Sequence, residues 1–146
     1  MKKHILLFFL FCGFFGFGQE NTANYDVTKI PNYSYLKTKI DLTDIPSNPD
    51  TLPEFPGGIN AFRNKFNKKI DLFNIKFVPG QTLKTTVYFV VEKDGKIGNV
   101  IAVGDINYSE AVEKAIKKIK DIWKPATAQG EPIRFLFLMP LTLINH

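Results

Sequence analysis

The chain has 146 residues, of which 45% are hydrophobic, 14% aromatic and 23% charged, and its formal net charge is +5. This length fits one small domain, and the charged fraction is too ordinary for a disordered chain. Six of the 14 phenylalanines and the only cysteine, Cys12, fall within the first 18 residues, and beyond them the only histidine is His146. The rest of the chain therefore lacks the side chains of Ser–His or Cys–His catalysis and of common zinc sites. We expect a protein that is not an enzyme and that uses no metal or cofactor.

Residues 1–18 have the pattern of a secretory signal peptide. Two lysines precede an apolar run from Ile5 to Phe17, and glycines occupy positions −3 and −1 of a cleavage site after Gly18. The alternative is an uncleaved membrane anchor, but a spanning helix needs about 20 apolar residues and this run has thirteen. Acylation of Cys12 is disfavoured because Phe11, rather than a small residue, precedes it. We therefore expect an exported protein, periplasmic or associated with the outer membrane.

Cleavage after Gly18 would leave a mature chain with a formal charge of +3, which is low for a nucleic-acid-binding protein. Residues 19–52 then form a polar leader that is rich in Asn, Thr, Ser, Asp and Pro and shows no helical period. Within this leader, the stretch from Tyr33 to Leu42 is richer in apolar residues. We predict that it forms a short strand or a clasp on the domain that follows.

Residues 53–146 carry the patterns of a folded domain. The Phe-Pro-Gly-Gly sequence at 55–58 is typical of a turn, and apolar residues at helical spacing then predict a first helix from Ile59 to Ile70. Its basic residues lie mostly off the apolar stripe. We interpret them as a solvated face, and the functional alternative is attraction to an anionic membrane surface.

A hairpin and a second helix follow along the chain. Two β-branched and aromatic runs, 83–92 and 97–103, flank an Asp-Gly pair that tolerates the positive φ of a tight hairpin turn. Apolar residues at helical spacing then predict a second helix from Ser109 to Ile122. Asn107 or Ser109 can cap its start, with Glu110 completing a capping box.

A last strand from Ile133 to Leu143 completes the order helix, strand, strand, helix, strand. The hairpin and the second helix bring this third strand antiparallel to the first, which gives the order 2-1-3. We therefore predict an α+β fold in which two helices pack on one face of a three-stranded antiparallel sheet. The third strand is apolar on both faces, so its second face needs a cover: the Tyr33–Leu42 segment, a second copy or a partner. As an apolar edge strand it is either an aggregation hazard or a docking site for an added strand.

Three stretches of this domain resemble the TonB C-terminal domain family, in the form found in Bacteroidetes-type proteins. They are residues 55–58, the strand and turn from Val87 to Ile97, and the Trp-Lys-Pro-Ala sequence with the Gly and Pro that follow it, before the last strand. The resemblance covers roughly residues 53–143. The resemblance implies that the positions in these motifs shape the fold: Phe55, Pro56, Gly57, Gly58, Asp94, Gly95, Trp123, Pro125 and Gly130.

The resemblance implies binding of a short extended segment, the TonB box of an outer-membrane transporter, by strand addition beside the last strand. The contact strip that it implies is the backbone of Ile133, Arg134, Phe135, Leu136, Phe137, Leu138 and Met139.

A TonB energy transducer also has a membrane helix and a long spacer. The leader of this chain has about 34 residues and reaches on the order of 115 Å when fully extended, which is short for crossing a periplasm. We therefore expect a secreted module of TonB-dependent transport that binds a transporter, or a similar envelope protein, without transmitting force. The alternatives are a membrane-anchored transducer with an uncut N-terminal helix and a self-assembling adaptor such as a homodimer. We expect neither nucleic acid nor a small-molecule cofactor as a partner.

Overall fold

The computed structural model describes residues 5–8 and 26–145, and the turn at Asp94 and Gly95 joins an inner strand of its sheet to an edge strand. Cys12 and the predicted cleavage site after Gly18 lie outside the described residues. In chain order the elements are β1 (Ile5–Phe8), a 3₁₀ turn (Val27–Lys29), α1 (Tyr33–Leu36), α2 (Gly58–Lys69), β2 (Thr82–Val91), β3 (Ile97–Gly104), α3 (Ile106–Lys117), β4 (Ala126–Ala128), β5 (Glu131–Ile133) and β6 (Phe135–Asn145).

Four strands form one antiparallel sheet in the order β1-β6-β2-β3. β2 lies at the centre of the three predicted strands, with β3 on one side and β6 on the other. The predicted order 2-1-3 and the α+β fold are therefore confirmed. β1 is a fourth strand that the sequence did not predict, and the last predicted strand is split at Arg134 into β5 and β6.

The two longer helices pack on one face of this sheet. The Phe62 ring of α2 lies 6.0 Å from the Phe89 ring of β2. The hydroxyls of Thr85 in β2 and Ser109 in α3 form a buried hydrogen bond of 2.6 Å. Both helices thus contact alternate residues of β2, as a helix layer on one sheet face requires.

The start of α3 differs from the prediction. The helix begins at Ile106 rather than Ser109, and its N-cap residue is Asp105, whose side chain makes no capping bond. The predicted capping box is wrong because Asn107 and Ser109 already lie inside the helix. The Asp105 carboxylate instead accepts the backbone amide of Lys84 at 2.7 Å, which ties the helix start to β2.

Residues 26–52, which we call the strap, cover the second face of the sheet. Tyr88 of β2 points to this face, where its hydroxyl donates to Pro31 O and accepts from Asn32 Nδ2, both at 3.1 Å. Leu36 and Ile40 of the strap are fully buried within the same hydrophobic core as β2. Of the three covers considered for this face, the described residues supply the first, although Tyr33–Leu36 is a short helix rather than a strand.

Candidate protein-interaction edge

The outer edge of β6 carries a strand added from the N-terminal end of the chain. β1 pairs antiparallel with the last four residues of β6, with Ile5 opposite Asn145 and Phe8 opposite Thr142. The inner edge of β6 stays paired with β2 over the same stretch, where Ile144 lies opposite Thr82. The outer edge of β6 therefore carries an antiparallel strand while its ladder to β2 stays continuous.

The other edge of the sheet shows which backbone groups face outward. The Ala102 amide of β3 donates to Glu113 Oε1 of α3 at 2.9 Å, so it points away from β2. Amide directions alternate along antiparallel strands. Val87, which lies opposite Ala102, therefore directs its amide towards Met139 of β6.

The same alternation assigns the amides of β6. The nitrogen of Pro140 faces outward, where the missing N–H of proline costs no bond of the β2 ladder. Thr142 and Ile144 then present outward amides, and these residues lie within the stretch that β1 pairs with. The outer edge of β6 thus offers main-chain donors at every second residue from Thr142 onward.

The side chains of β6 belong mainly to the core. Phe137 stacks on Phe89 with the ring centroids 5.1 Å apart. Phe135 and Met139 are fully buried, Leu136 is buried on the opposite face, and Leu138 is half-buried. What this strand can offer a partner is therefore its main-chain edge, with little side-chain surface.

Two residues of the predicted contact strip lie outside β6. Ile133 ends β5 and pairs with Ala126 of β4. Arg134 lies in the break between β5 and β6, and its side chain is only 14% exposed. The candidate edge therefore runs through β6 from Phe135 to Asn145, beyond the strip that the resemblance implies.

Arg134 ties the strap to the sheet. Its Nε donates to Glu92 Oε2 at 2.8 Å, Nη1 donates to Thr43 O at 2.6 Å, and Nη2 donates to Asp41 O at 3.0 Å. The hydrogen bond with Glu92 raises the pKa of the guanidinium above its already high value, so this group stays charged. Sequence reasoning missed this role, although a lone arginine inside an apolar strand is a signal that such a partner exists.

Trp123 lies at the centre of an aromatic cluster at the hairpin end of the domain. Its ring lies 5.2 Å from both Phe55 and Phe62 and 5.6 Å from Phe137. Its backbone amide donates to Gly95 O at 2.8 Å, which fastens the β2–β3 turn to this cluster. The structure thus brings the first, second and third stretches of the resemblance together in space.

The remaining motif positions lie in turns around this end. Gly57 has a φ of +84° and directly precedes α2. The amide of Gly58, the first residue of α2, donates to Phe55 O and closes the turn through Pro56 and Gly57. Gly130 has a φ of +76° in the turn between β4 and β5. Pro125 lies between the bridging residue Lys124 and the start of β4. These positions direct the chain into its elements and do not line the edge of β6.

The fold and this edge define the chain as a small α+β domain with one strand-accepting sheet edge. Comparisons with protein-family models, curated proteins and solved structures found no match. Within residues 5–8 and 26–145, no group of three metal-ligating side chains occurs. No helix in that part of the chain has the length and apolar character needed to cross a bilayer.

Proposed function

We propose that this chain is an exported protein-interaction module that binds an extended segment of an outer-membrane transporter by strand addition to the outer edge of β6. The observation that carries this proposal is the pairing of β1 with Thr142–Asn145, because it is itself an antiparallel strand addition at that edge. A transporter segment would take the position of β1 once residues 1–18 are removed by signal cleavage.

The two sheet edges favour β6 over β3 as the docking site. The outward amide of Ala102 in β3 is already bonded to Glu113, and the β2–β3 register shifts between Phe89 and Val91. Bulges and side-chain caps are the means by which proteins prevent pairing at an edge strand. β6 pairs with β2 in one uninterrupted register, so its outer edge is straight enough to take a strand.

The chemistry of binding would rest on main-chain hydrogen bonds. Outward amides at Thr142 and Ile144 donate to carbonyls of the incoming segment, and carbonyls of β6 accept in return. Such binding needs an extended segment without proline at the paired positions. The resemblance to the TonB C-terminal domain supplies the class of partner, a TonB box-like segment in TonB-dependent transport. The module would hold this segment without transmitting force.

Titration by NMR tests this proposal on two forms of the labelled protein, the full chain and the chain that begins at Gln19. We expect extended peptides from transporter N-termini to shift the amides of Thr142 and Ile144 and to leave Ala102 unchanged. The full chain should need more peptide, because β1 competes for the same edge. A matched peptide that is N-methylated at alternate residues should not bind.

Two outcomes would contradict the proposal. One is the absence of shifts along β6 at millimolar peptide, and the other is shifts confined to β3. If the shifts at Thr142 and Ile144 grow with protein concentration in the absence of peptide, a second copy of the chain occupies the edge of β6. That result would support the self-assembling alternative. The remaining alternative is a membrane-anchored transducer with an uncut N-terminal helix. The intact mass of protein recovered from cells tests it, since a start at Gln19 excludes the anchor.

A further inference from the structure

The end of the domain opposite the β2–β3 turn carries three strongly exposed apolar side chains. Phe73 is 91% exposed, Ile106 74% and Val78 67%. They belong to the segment between α2 and β2 and to the first residue of α3, and β2 begins and β3 ends at this same end. We call residues 68–84 and 104–108 the loop end.

Hydrogen bonds within the loop end hold the backbone at two of these side chains. The Phe73 amide donates to Asp71 Oδ1 at 2.9 Å. Gln81 holds Val78 on both sides, since its Oε1 accepts the Val78 amide at 3.0 Å and its own amide donates to Val78 O at 2.9 Å. An open cavity of about 460 Å³ separates this loop from the start of α3, and Ile106 forms part of its wall. Phe73 and Val78 therefore project from a hydrogen-bonded loop, and Ile106 projects from the start of α3.

Lysines outnumber aspartates in the segments that carry the exposed apolar side chains. The charged residues of the loop end are four lysines, Lys68, Lys69, Lys76 and Lys84, and two aspartates, Asp71 and Asp105. Both aspartates use a carboxylate oxygen to accept a backbone amide. None of the four lysines forms an ion pair within the part of the chain that the structure describes.

We propose that the loop end docks on an anionic lipid surface, with Phe73, Val78 and Ile106 entering the interfacial layer and the lysines contacting lipid phosphates. Exposed apolar side chains with a basic surround are the composition of interfacial membrane-binding elements. A fluid interface takes up projecting side chains one by one, whereas a protein partner would need a matched pocket for a side chain as exposed as Phe73. The excess of unpaired lysines also complements the charge of an anionic bilayer. Together these two features favour a bilayer over a second protein. The exposed side chains of the loop end do not belong to β6, although the loop end adjoins that strand, since Thr82 and Lys84 lie opposite Ile144 and Thr142. The inference does not rest on the proposed function.

The experiment uses the full chain with Cys12→Ser and one new cysteine that carries an environment-sensitive fluorophore. Ile106→Cys places the fluorophore at the loop end. Ile122→Cys is the matched control, because Ile122 is 51% exposed and lies beside Gly95 at the opposite end. The apolar N-terminal run can itself bring the chain to a vesicle, and β1 pairs beside the loop end. The readout is therefore the emission at position 106 in two forms that share this run, with Phe73 and Val78 intact and with both replaced by serine.

We expect vesicles of phosphatidylglycerol and phosphatidylethanolamine to shift the emission at position 106 to the blue and to leave position 122 unchanged. Phe73→Ser with Val78→Ser should remove most of that shift, and 0.5 M salt, which screens the lysines, should weaken it. Equal shifts at 106 and 122, or none at 106, would overturn the proposal. So would a shift at 106 that appears without lipid and grows with protein concentration, since it would assign the loop end to a second copy.

Discussion

The two strands that flank β2, β3 and β6, differ at their outer edges although both are largely apolar. At β3, Glu113 caps the outward Ala102 amide and the register to β2 is interrupted. At β6, the register to β2 is continuous and the outer side pairs with a strand from elsewhere in the chain. An edge that is capped and bulged resists pairing, and a straight edge with outward amides invites it. The comparison indicates that the two edges are distinguished by the accessibility of their main chains rather than by their apolar side chains.

The largest expected effect on stability comes from the close approach of Gly95 to Trp123 at the hairpin end. A Cβ added at Gly95 would lie 2.0 Å from Trp123 O, at a φ of +81°. We expect Gly95→Ala to lower the free energy of unfolding by at least about 3 kcal/mol, because either the turn or the Trp123 backbone must move. Urea unfolding measures this.

Gly130→Ala is the matched control for that prediction. Gly130 has a similar φ of +76°, but an added Cβ there meets nothing within 4 Å. It should cost about 1 kcal/mol from backbone strain alone. Equal effects of the two substitutions would show that contact with Trp123 contributes nothing.

The next effect concerns the start of the β6 edge. Arg134→Ala leaves Glu92 and the carbonyls of Thr43 and Asp41 without their donor. We expect a loss of about 2–4 kcal/mol, since breaking a largely buried, charged hydrogen-bond set leaves its partners unpaired. Arg134→Lys should recover only part of this loss, because a lysine cannot supply the same fork of donors. A change of less than about 0.5 kcal/mol in Arg134→Ala would refute the role of Arg134 in holding the strap.

Much of the fold follows from local sequence, whereas the hydrogen bonds of Arg134 do not. The Asp94-Gly95 turn and the apolar spacing of α2 depend on neighbouring residues, so the sequence predicted them. Arg134 bonds to residues 42 to 93 positions away, and no local pattern encodes such pairings. The start of α3 was misplaced for the same reason, since the Asp105 carboxylate is engaged by Lys84 rather than by the helix.

The candidate docking edge of β6 could likewise be predicted only in part from the sequence. An edge strand beside the first strand could be predicted from the order of the elements. The outward direction of its amides depends on the exact register between β2, β3 and β6, which only the structure supplies. The pairing of β1 with Thr142–Asn145 falls in a segment for which the sequence predicts a signal peptide, and that pattern carries no indication of a strand partner.

A smaller effect is expected at the capped edge. Glu113→Ala removes the acceptor of the Ala102 amide and should cost about 1 kcal/mol. It should also produce concentration-dependent association through β3, because a donor on that edge becomes available. Glu113→Gln retains an acceptor oxygen and should associate no more than the unmodified protein does. Sedimentation of the two variants measures this, and equal behaviour would show that the cap does not protect β3.

The smallest effect is a pH dependence in the strap. Hydrogen bonds from the Thr43 hydroxyl and amide lower the pKa of Asp41. A lowered carboxyl pKa stabilises the fold above the ordinary aspartate value of about 3.9, and this contribution is lost as the pH falls through the lowered value. An NMR titration of the Asp41 carboxyl should give a midpoint below the ordinary value, and Thr43→Val should raise it. An unchanged midpoint in Thr43→Val would assign the shift to another cause.

The most direct test of the docking edge compares Thr142→Pro with Thr142→Val in peptide binding. Proline removes an outward N–H of β6 and leaves the β2 ladder intact, whereas valine keeps the N–H and the branched shape. We predict that Thr142→Val binds extended transporter peptides as the unmodified protein does, and that Thr142→Pro binds them at least about tenfold more weakly with an unchanged urea midpoint. Equal affinity of the two variants would contradict strand addition at β6.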